Sequence, residues 1–110
     1  MRLEGDEIVS WLEVAPELCA HGIVRGACLV MLVDVGGGFA AERESGDDWS
    51  FTVDIGIRRA PVRAARIDGR PVVQRSGRTV SIDVPMRDDA GHVSATGVST
   101  FIRLPRRPQD

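Results

Sequence analysis

The sequence predicts an α+β domain in which an antiparallel sheet covers one long central helix. Two observations lead to this prediction. Apolar residues dominate positions 26–43, a stretch too long for a strand. From residue 51 onward, apolar and polar residues alternate in segments separated by turn sequences, the pattern of half-buried strands joined as hairpins. With 110 residues, we expect one domain with one modest core.

Each element follows from local patterning. A first strand is predicted over residues 8–14 and ends before Pro16, which cannot donate to a sheet. The helix over residues 26–43 is apolar on every side, so we expect it to be buried all round. Its three glycines, at positions 36–38, would let strands approach closely. After the helix we predict a strand over 51–57, a strand ending at 75, a turn over 76–78, a strand over 80–84, a turn over 88–91, a strand over 93–104 and a polar tail over 105–110.

Composition excludes several classes of function. A net charge of −2 and a pI near 5.6 give no overall attraction to nucleic acid or to an anionic membrane. The longest apolar run, residues 27–33, is far shorter than the ~20 residues that span a bilayer. No apolar segment follows Met1 as in a secretory signal, so we expect a cytoplasmic protein. In that compartment Cys19 and Cys28 are expected to be free thiols.

Other chemistries lack their residues or their context. All 14 basic residues are arginine, so no lysine is present to form a Schiff base. His21 and His92 share no ligand-like spacing with each other or with the cysteines, and we expect no metal and no redox cofactor. Residues 36–41 fit the dinucleotide pattern G-x-G-x-x-A, but the hairpins downstream do not supply the βαβ unit that this pattern requires.

Asp34 is the candidate for chemistry. It lies between Val33 and Val35, where a carboxylate is costly unless it is hydrogen-bonded, exposed in a cleft or used in a reaction. The helix begins near Gly26, where backbone N–H groups favour developing negative charge. A carboxylate two turns into that helix suits acyl transfer, activating water or attacking while the N–H groups hold an oxyanion. Alternatively, Asp34 caps a helix or pairs across a dimer interface.

A set of ordered motifs resembles a known family. Residues 21–27, His-Gly-Ile-Val-Arg-Gly-Ala, are followed by six residues and then Asp34. This pattern is similar to that of the phenylacetate-type, 4-hydroxybenzoyl-CoA thioesterase-like members of the hotdog-fold thioesterase superfamily, in which Asn-x-x-Gly-x-x-His-Gly-Gly precedes Asp by six residues. The likeness continues through residues 51–55, the turn over 75–78 and the D-x-G-x-x-x-A sequence over 89–95, and covers roughly residues 8–104.

The resemblance implies a fold, an assembly and a reaction. The fold is a sheet wrapped around one helix, paired into a homodimer or a dimer of dimers. The reaction is hydrolysis of acyl-CoA or acyl-carrier-protein thioesters. Asp34 is then the base or nucleophile, Gly26 the donor to the thioester carbonyl and Thr52 a residue that assists the water. The site would be shared, with Asp34 of one subunit facing loop residues of the other.

Three positions depart from the family motif, and one of them is Ala27, which stands where the family has its second Gly. Cys19 stands where the family has Asn, and a thiol cannot reproduce the donor and acceptor of a carboxamide. Arg25 stands where the family has His, and a cation at a helix N-terminus opposes the helix dipole by about 0.3–1 kcal/mol. Arg25 therefore binds a CoA phosphate or a substrate carboxylate, pairs with Asp34 or an acidic neighbour, or is simply exposed.

Further arginines are candidates for binding the CoA phosphates. Arg59, Arg75 and Arg78 are predicted at strand ends and in a turn. The run over residues 58–61, Arg-Arg-Ala-Pro, either holds phosphate or is a solvated strand end. Two alternatives to hydrolysis stay open: a hotdog module that binds an acyl thioester or a partner without hydrolysing it, and a structural subunit of a larger acyl-processing complex.

Overall fold

The computed structural model describes residues 2–4 and 6–106, and it confirms the α+β architecture. A helix of 20 residues packs against an antiparallel sheet. The predicted tail beyond residue 106 lies outside the described residues. The elements are β1 (Arg2–Glu4), β2 (Glu7–Glu13), a 3₁₀ turn (Pro16–Leu18), β3 (Cys19–Ala20), β4 (Ile23–Val24), α1 (Gly26–Ser45), β5 (Trp49–Arg59), β6 (Arg66–Gly69), β7 (Val72–Arg75), β8 (Thr79–Arg87) and β9 (Val93–Leu104).

The main sheet has the strand order β1-β2-β6-β8-β9-β5, with β7 beside β8, and β3 and β4 form a separate small hairpin. The sequence pattern predicted consecutive hairpins after the helix, and this is wrong for β5. Its 11 residues pair with the 12-residue strand β9, from Trp49 opposite Leu104 to Arg59 opposite Ala95. Among the strands in the described residues, only β9 is long enough to pair with all of β5, and the segment over 60–65 carries the chain across to β6.

The helix buries one side only, so the expectation of burial all round is wrong. The sheet covers what we call the packed side of α1, formed by Cys28, Leu29, Leu32, Val33, Gly36, Gly37, Ala40 and Ala41. Away from the sheet lies the open side of α1, formed by Ala27, Met31, Asp34, Val35 and Phe39. The hydrophobic periodicity of α1 is weak because apolar residues occupy both its packed side and its open side, although the sheet of this chain covers only the packed side. Among residues 2–4 and 6–106, no helix combines the length and the sustained hydropathy that a membrane crossing requires.

Two of the helix glycines let the sheet approach, as predicted. A Cβ on Gly36 would lie 2.7 Å from the Oγ of Ser10 on β2, and a Cβ on Gly37 would lie 2.7 Å from the Oγ of Ser99 on β9. Both serines are buried, so neither could move aside without disturbing the core. These glycines therefore set the distance between helix and sheet.

The sheet contributes a glycine of its own to this contact. A Cβ on Gly97, in β9, would lie 2.1 Å from the Cγ2 of Val33, closer than any pair of carbon atoms can pack. Gly38 differs, because a Cβ there would meet nothing within 4 Å. The close-approach explanation applies to three glycines and does not extend to Gly38.

Candidate active site

Asp34 lies on the open side of α1 and is exposed. Of the conditions under which a carboxylate between Val33 and Val35 is tolerated, the structure shows exposure and a hydrogen bond, because Val33 packs against the sheet while Asp34 and Val35 face away from it. The structure brings Asp34 together with Thr52 of β5, whose Oγ1 donates a hydrogen bond to Oδ1 of Asp34 over 3.2 Å. One carboxylate oxygen is thus held by a neighbouring strand.

A β-bulge turns Thr52 toward the helix. Thr52 lies opposite Phe101, but Asp54 lies opposite Thr100, so Val53 is an extra residue in β5. Phe101 is buried beneath α1, and its partner Thr52 shares that side of the sheet. In a regular strand, residues two apart point to the same side. The bulge breaks this rule, so that Thr52 faces Asp34 while Asp54 faces away from the helix.

A tight turn leads into the start of α1. The turn between β3 and β4 contains His21 with φ of 55° and Gly22 with φ of 76°, and glycine is the residue that adopts this region without strain. Gly22 stands at the position of the first glycine of the family motif, and its positive φ explains why a glycine suits that position. Arg25 precedes the helix with φ of −66° and ψ of 142°. Gly26, the first helical residue, has an N–H group without an acceptor inside the helix.

Arg59 stands beside this N-terminus. Its guanidinium donates to the carbonyl of Val24. A Cβ on Gly26 would lie 3.7 Å from Nη2 of Arg59, which is ordinary contact. The predicted residues Gly26 and Arg59 are therefore neighbours, and together they present an N–H donor and a cation to one region of the surface.

Arg25 and Cys19 flank the same turn. Arg25 is exposed, makes no side-chain cap to the helix and forms no ion pair with Asp34. Of the three alternatives for Arg25, the isolated protomer thus shows exposure. Cys19 is half-buried in β3, with its Sγ 3.9 Å from the carbonyl oxygen of Ala15. Cys19 and the buried Cys28 are both free thiols, as predicted.

Asp34 and Gly26 do not meet within one protomer. From Gly26 to Asp34 the helix advances eight residues, about 12 Å at ~1.5 Å per residue. A single reacting carbonyl must lie within about 3 Å of both its donor and its attacking group. One chain therefore supplies two separated halves of the predicted site.

Arg75 and Arg78 lie elsewhere in the fold. Arg75 ends β7, which lies three strands across the sheet from β5. The carbonyl of Arg78 accepts a hydrogen bond from the N–H of Arg103, which pairs with Ser50. Ser50 is nine residues from Arg59 along β5, about 30 Å in an extended strand. The structure does not bring Arg75 or Arg78 together with Gly26 or Arg59.

The D-x-G turn has a structural explanation. The carboxylate of Asp89 accepts the N–H groups of Ala65 and Arg66, each over 2.8 Å, and so fixes the segment that crosses from β5 to β6. The carboxylate of Asp88 accepts the backbone N–H of His92 and the hydroxyl of Ser94, which lowers its pKa below the usual value. In the described part of the chain, no group of three His, Cys, Asp or Glu side chains is placed to hold a metal ion.

Comparison with known proteins identifies the fold. No protein-family profile and no curated protein sequence matches the chain. Solved structures match it along most of its length. AziG from S. sahachiroi is 24% identical, with a TM-score of 0.84 over 96% of this chain and 89% of AziG. The chain has the hotdog fold.

Two other solved structures share this fold. A mutant of thioesterase PA1618 from Pseudomonas aeruginosa is 17% identical, with a TM-score of 0.84 over 96% of this chain and 80% of PA1618. The BH2602 protein from Bacillus halodurans, solved with CoA, is 19% identical, with a TM-score of 0.80 over 87% of this chain and 66% of BH2602. Thioesterases are thus among the structural neighbours of this hotdog domain.

Proposed function

We propose that this protein hydrolyses acyl thioesters, carried by CoA or by a carrier protein, at a site shared by two copies of the chain. The observation that carries the proposal is the exposed carboxylate of Asp34, oriented by Thr52 on the open side of the central helix. The neighbours support it, since PA1618 is named a thioesterase and BH2602 was solved with CoA. The proposal needs neither a metal nor a redox cofactor.

The distance between Gly26 and Asp34 within one chain means that the proposed site needs two copies. A carbonyl held by the Gly26 N–H of one protomer must meet Asp34 of a second, because the two lie about 12 Å apart on the same helix. A two-fold dimer would form two such sites, because its symmetry pairs the Gly26 N–H of each protomer with Asp34 of the other. Strand β5 is at the edge of the sheet, and the open side of α1 exposes Met31, Val35 and Phe39. An unpaired edge beside an apolar helix surface is suited to pairing with another copy.

The proposed reaction uses each group in one role. Thr52 donates to Oδ1 of Asp34, which leaves Oδ2 free. Oδ2 accepts a proton from a water that attacks the thioester carbonyl, or the carboxylate itself attacks and water then cleaves the resulting anhydride. In both routes the N–H of Gly26 from the partner stabilises the developing oxyanion. In the first route the carbon–sulfur bond then breaks and Asp34 returns its proton to the departing thiolate. In the second route the thiolate leaves as the anhydride forms, and its proton comes from the water that cleaves the anhydride. Both routes release the thiol and the acid and restore the carboxylate.

The test is hydrolysis of a panel of short, long and aromatic acyl-CoAs and acyl-carrier-protein thioesters, with Asp34→Asn beside the native protein. We expect turnover with at least one thioester and a loss of about 10²–10⁴-fold in the variant, the usual effect of removing a general base. Loss of the thioester should be followed by chromatography, because Cys19 and Cys28 would react with thiol-specific dyes. Equal turnover by native protein and Asp34→Asn would contradict the proposal.

A binding module without hydrolysis is the second candidate, and Cys19 is the observation that favours it. Cys19 lies in the hairpin before α1, where its thiol, a weak donor and a weak acceptor, cannot reproduce the strong paired donor and acceptor of the Asn in the family motif. If native protein binds acyl-CoA without turnover, the double variant Cys19→Asn, Arg25→His should gain hydrolysis. A double variant that stays inactive would show that these two positions do not explain the lack of turnover.

A further inference from the structure

Gly38 lies in the interior of α1, where glycine is a poor helix former and alanine would be a better one. Gly36 and Gly37 make room for buried serines of the sheet, whereas a Cβ on Gly38 would meet no described atom within 4 Å. Gly38 is also not among the glycines with positive φ, so its backbone geometry does not require a glycine. The contacts of one chain therefore do not explain this residue.

Gly38 follows Asp34 by one helical turn on the same face of α1. Residues four apart in a helix lie one above the other, about 6 Å apart along the axis. The Cα–Cβ bonds of a helix tilt toward its N-terminus, so a side chain covers the turn before its own Cα. A side chain at position 38 would therefore lean toward the carboxylate of Asp34. Because Gly38 has none, the space on that side of the carboxylate stays open.

The neighbouring side chains of the helix also leave this space open. The residues beside Gly38 on the helix surface are Asp34, Val35, Ala41 and Glu42, which are three or four positions away. None of their side chains comes within 4 Å of the Cβ position of Gly38. Val35 is exposed although it is apolar, so the space beside the carboxylate has an apolar border.

The charges beyond Gly38 indicate which arm of a thioester this space can hold. The helix ends there among the exposed carboxylates of Glu42, Glu44 and Asp47, and its C-terminus adds partial negative charge. The cation of the last turn, Arg43, donates to a backbone carbonyl in the turn between β1 and β2. The carrier arm of a thioester bears phosphate, which these charges repel. The uncharged acyl group is therefore the arm that fits over Gly38.

We propose that Gly38 determines which acyl groups the site accepts, because its missing side chain leaves room beside Asp34 for a short acyl group that is branched next to the carbonyl. The inference rests on the proposed function and names the class of acyl group. A long linear chain would reach Glu42, two turns from Asp34, and would displace water from its carboxylate at a cost. Gly38 sets specificity, and the chemistry stays with Asp34.

Hydrolysis of three thioesters tests this role. Native protein, Gly38→Ala and Gly38→Leu should be compared with acetyl-CoA, isobutyryl-CoA and octanoyl-CoA. We expect native kcat/KM to be highest for isobutyryl-CoA. The ratio of kcat/KM for isobutyryl-CoA to that for acetyl-CoA should fall about 10-fold in Gly38→Ala and about 100-fold in Gly38→Leu, the usual range for a methylene in an apolar site. An unchanged ratio in both variants, or a native preference for octanoyl-CoA, would overturn the inference.

Gly56 provides the matched control. A Cβ there would also meet nothing within 4 Å, but Gly56 lies opposite Val98, on the side of the sheet that faces away from α1. Gly56→Ala and Gly56→Leu should leave the ratio unchanged. Alanine and leucine are good helix formers, so the melting temperature of the Gly38 variants should not fall. If Gly38→Ala changes the oligomeric state in sedimentation, Gly38 is a subunit contact and the inference is overturned.

Binding separates this inference from the proposed function. If native protein hydrolyses no thioester, the proposed function fails, and isobutyryl-CoA and CoA should then be titrated by calorimetry into native protein and Gly38→Leu. The inference predicts that Gly38→Leu binds isobutyryl-CoA about 10-fold more weakly and CoA equally well. Equal binding of isobutyryl-CoA by the two proteins, or none by either, would overturn it. If Gly38→Leu instead loses turnover of acetyl-CoA and isobutyryl-CoA to the same extent, the function stands and the specificity role is overturned.

Discussion

The two sides of the central helix differ in what covers them. On the packed side, Gly36 and Gly37 fit against buried serines, and the sheet's own Gly97 makes room for Val33. On the open side, Met31, Val35 and Phe39 are exposed, and a carboxylate lies among them. The packed side is explained by contacts within this chain. The open side is not, and we propose that its partners are a second copy and a substrate.

After the loss of Asp34, the largest effect on turnover is expected from removing one N–H group at the start of α1. Gly26→Pro deletes the donor, and proline is favoured at the first position of a helix. Arg25, with ψ of 142°, already has the extended conformation that precedes proline. We expect kcat for thioester hydrolysis to fall about 10²–10³-fold with an unchanged melting temperature.

Gly26→Ala is the matched control for this variant. It keeps the N–H, and its Cβ would be in ordinary contact with Arg59 at 3.7 Å. The alanine variant should retain turnover close to that of native protein. Equal kcat in native protein and Gly26→Pro would remove Gly26 from the proposed mechanism.

A smaller effect, on stability, is expected from the packed side. Gly97→Ala places a Cβ 2.1 Å from Val33, so we expect the free energy of unfolding to fall by about 1–3 kcal/mol. Gly38→Ala, with nothing within 4 Å, should instead raise it by about 0.5–1 kcal/mol, because alanine is the better helix former. Urea denaturation measures both. A neutral Gly97→Ala variant would mean that helix and sheet are not in close contact at that point.

The smallest effect concerns the link between strand and carboxylate. Thr52→Val keeps the shape of the side chain and removes its hydrogen bond to Asp34, whereas Thr52→Ser retains a hydroxyl. We expect kcat to fall about 3–10-fold in the valine variant and to stay near native in the serine variant, in line with a bond worth about 1 kcal/mol. The bond orients the base and does not react, so equal losses in the two variants would assign Thr52 a packing role.

Much of the fold could be predicted from the sequence, because hydrophobic alternation and residues that end a strand depend only on nearby residues. The alternation over residues 51–57 and 80–84 falls within β5 and β8, and Pro16 follows the end of β2 as predicted. The place of β5 in the sheet does not follow from such patterns. It depends on matching strand lengths with β9, whose residues come much later in the chain.

The site was predictable only in part. The spacing of Gly22, Gly26 and Asp34 can be recognised in the sequence. The positive φ of Gly22 explains why a glycine is found at one of these positions. The exposure of Asp34 was not predictable, because apolar neighbours on both sides of a helix cannot show which side is covered. The bulge at Val53 was also missed, since no glycine or proline marks it.

The most direct test of a shared site is complementation between two inactive variants. Asp34→Asn and Gly26→Pro should each be inactive alone, and mixing them under conditions of verified subunit exchange should form hybrid dimers with one intact site. At equal amounts the account predicts about a quarter of the native rate, because half of the dimers are hybrids and each hybrid has one of its two sites intact. No recovery in a mixture that has demonstrably exchanged subunits would contradict the shared site.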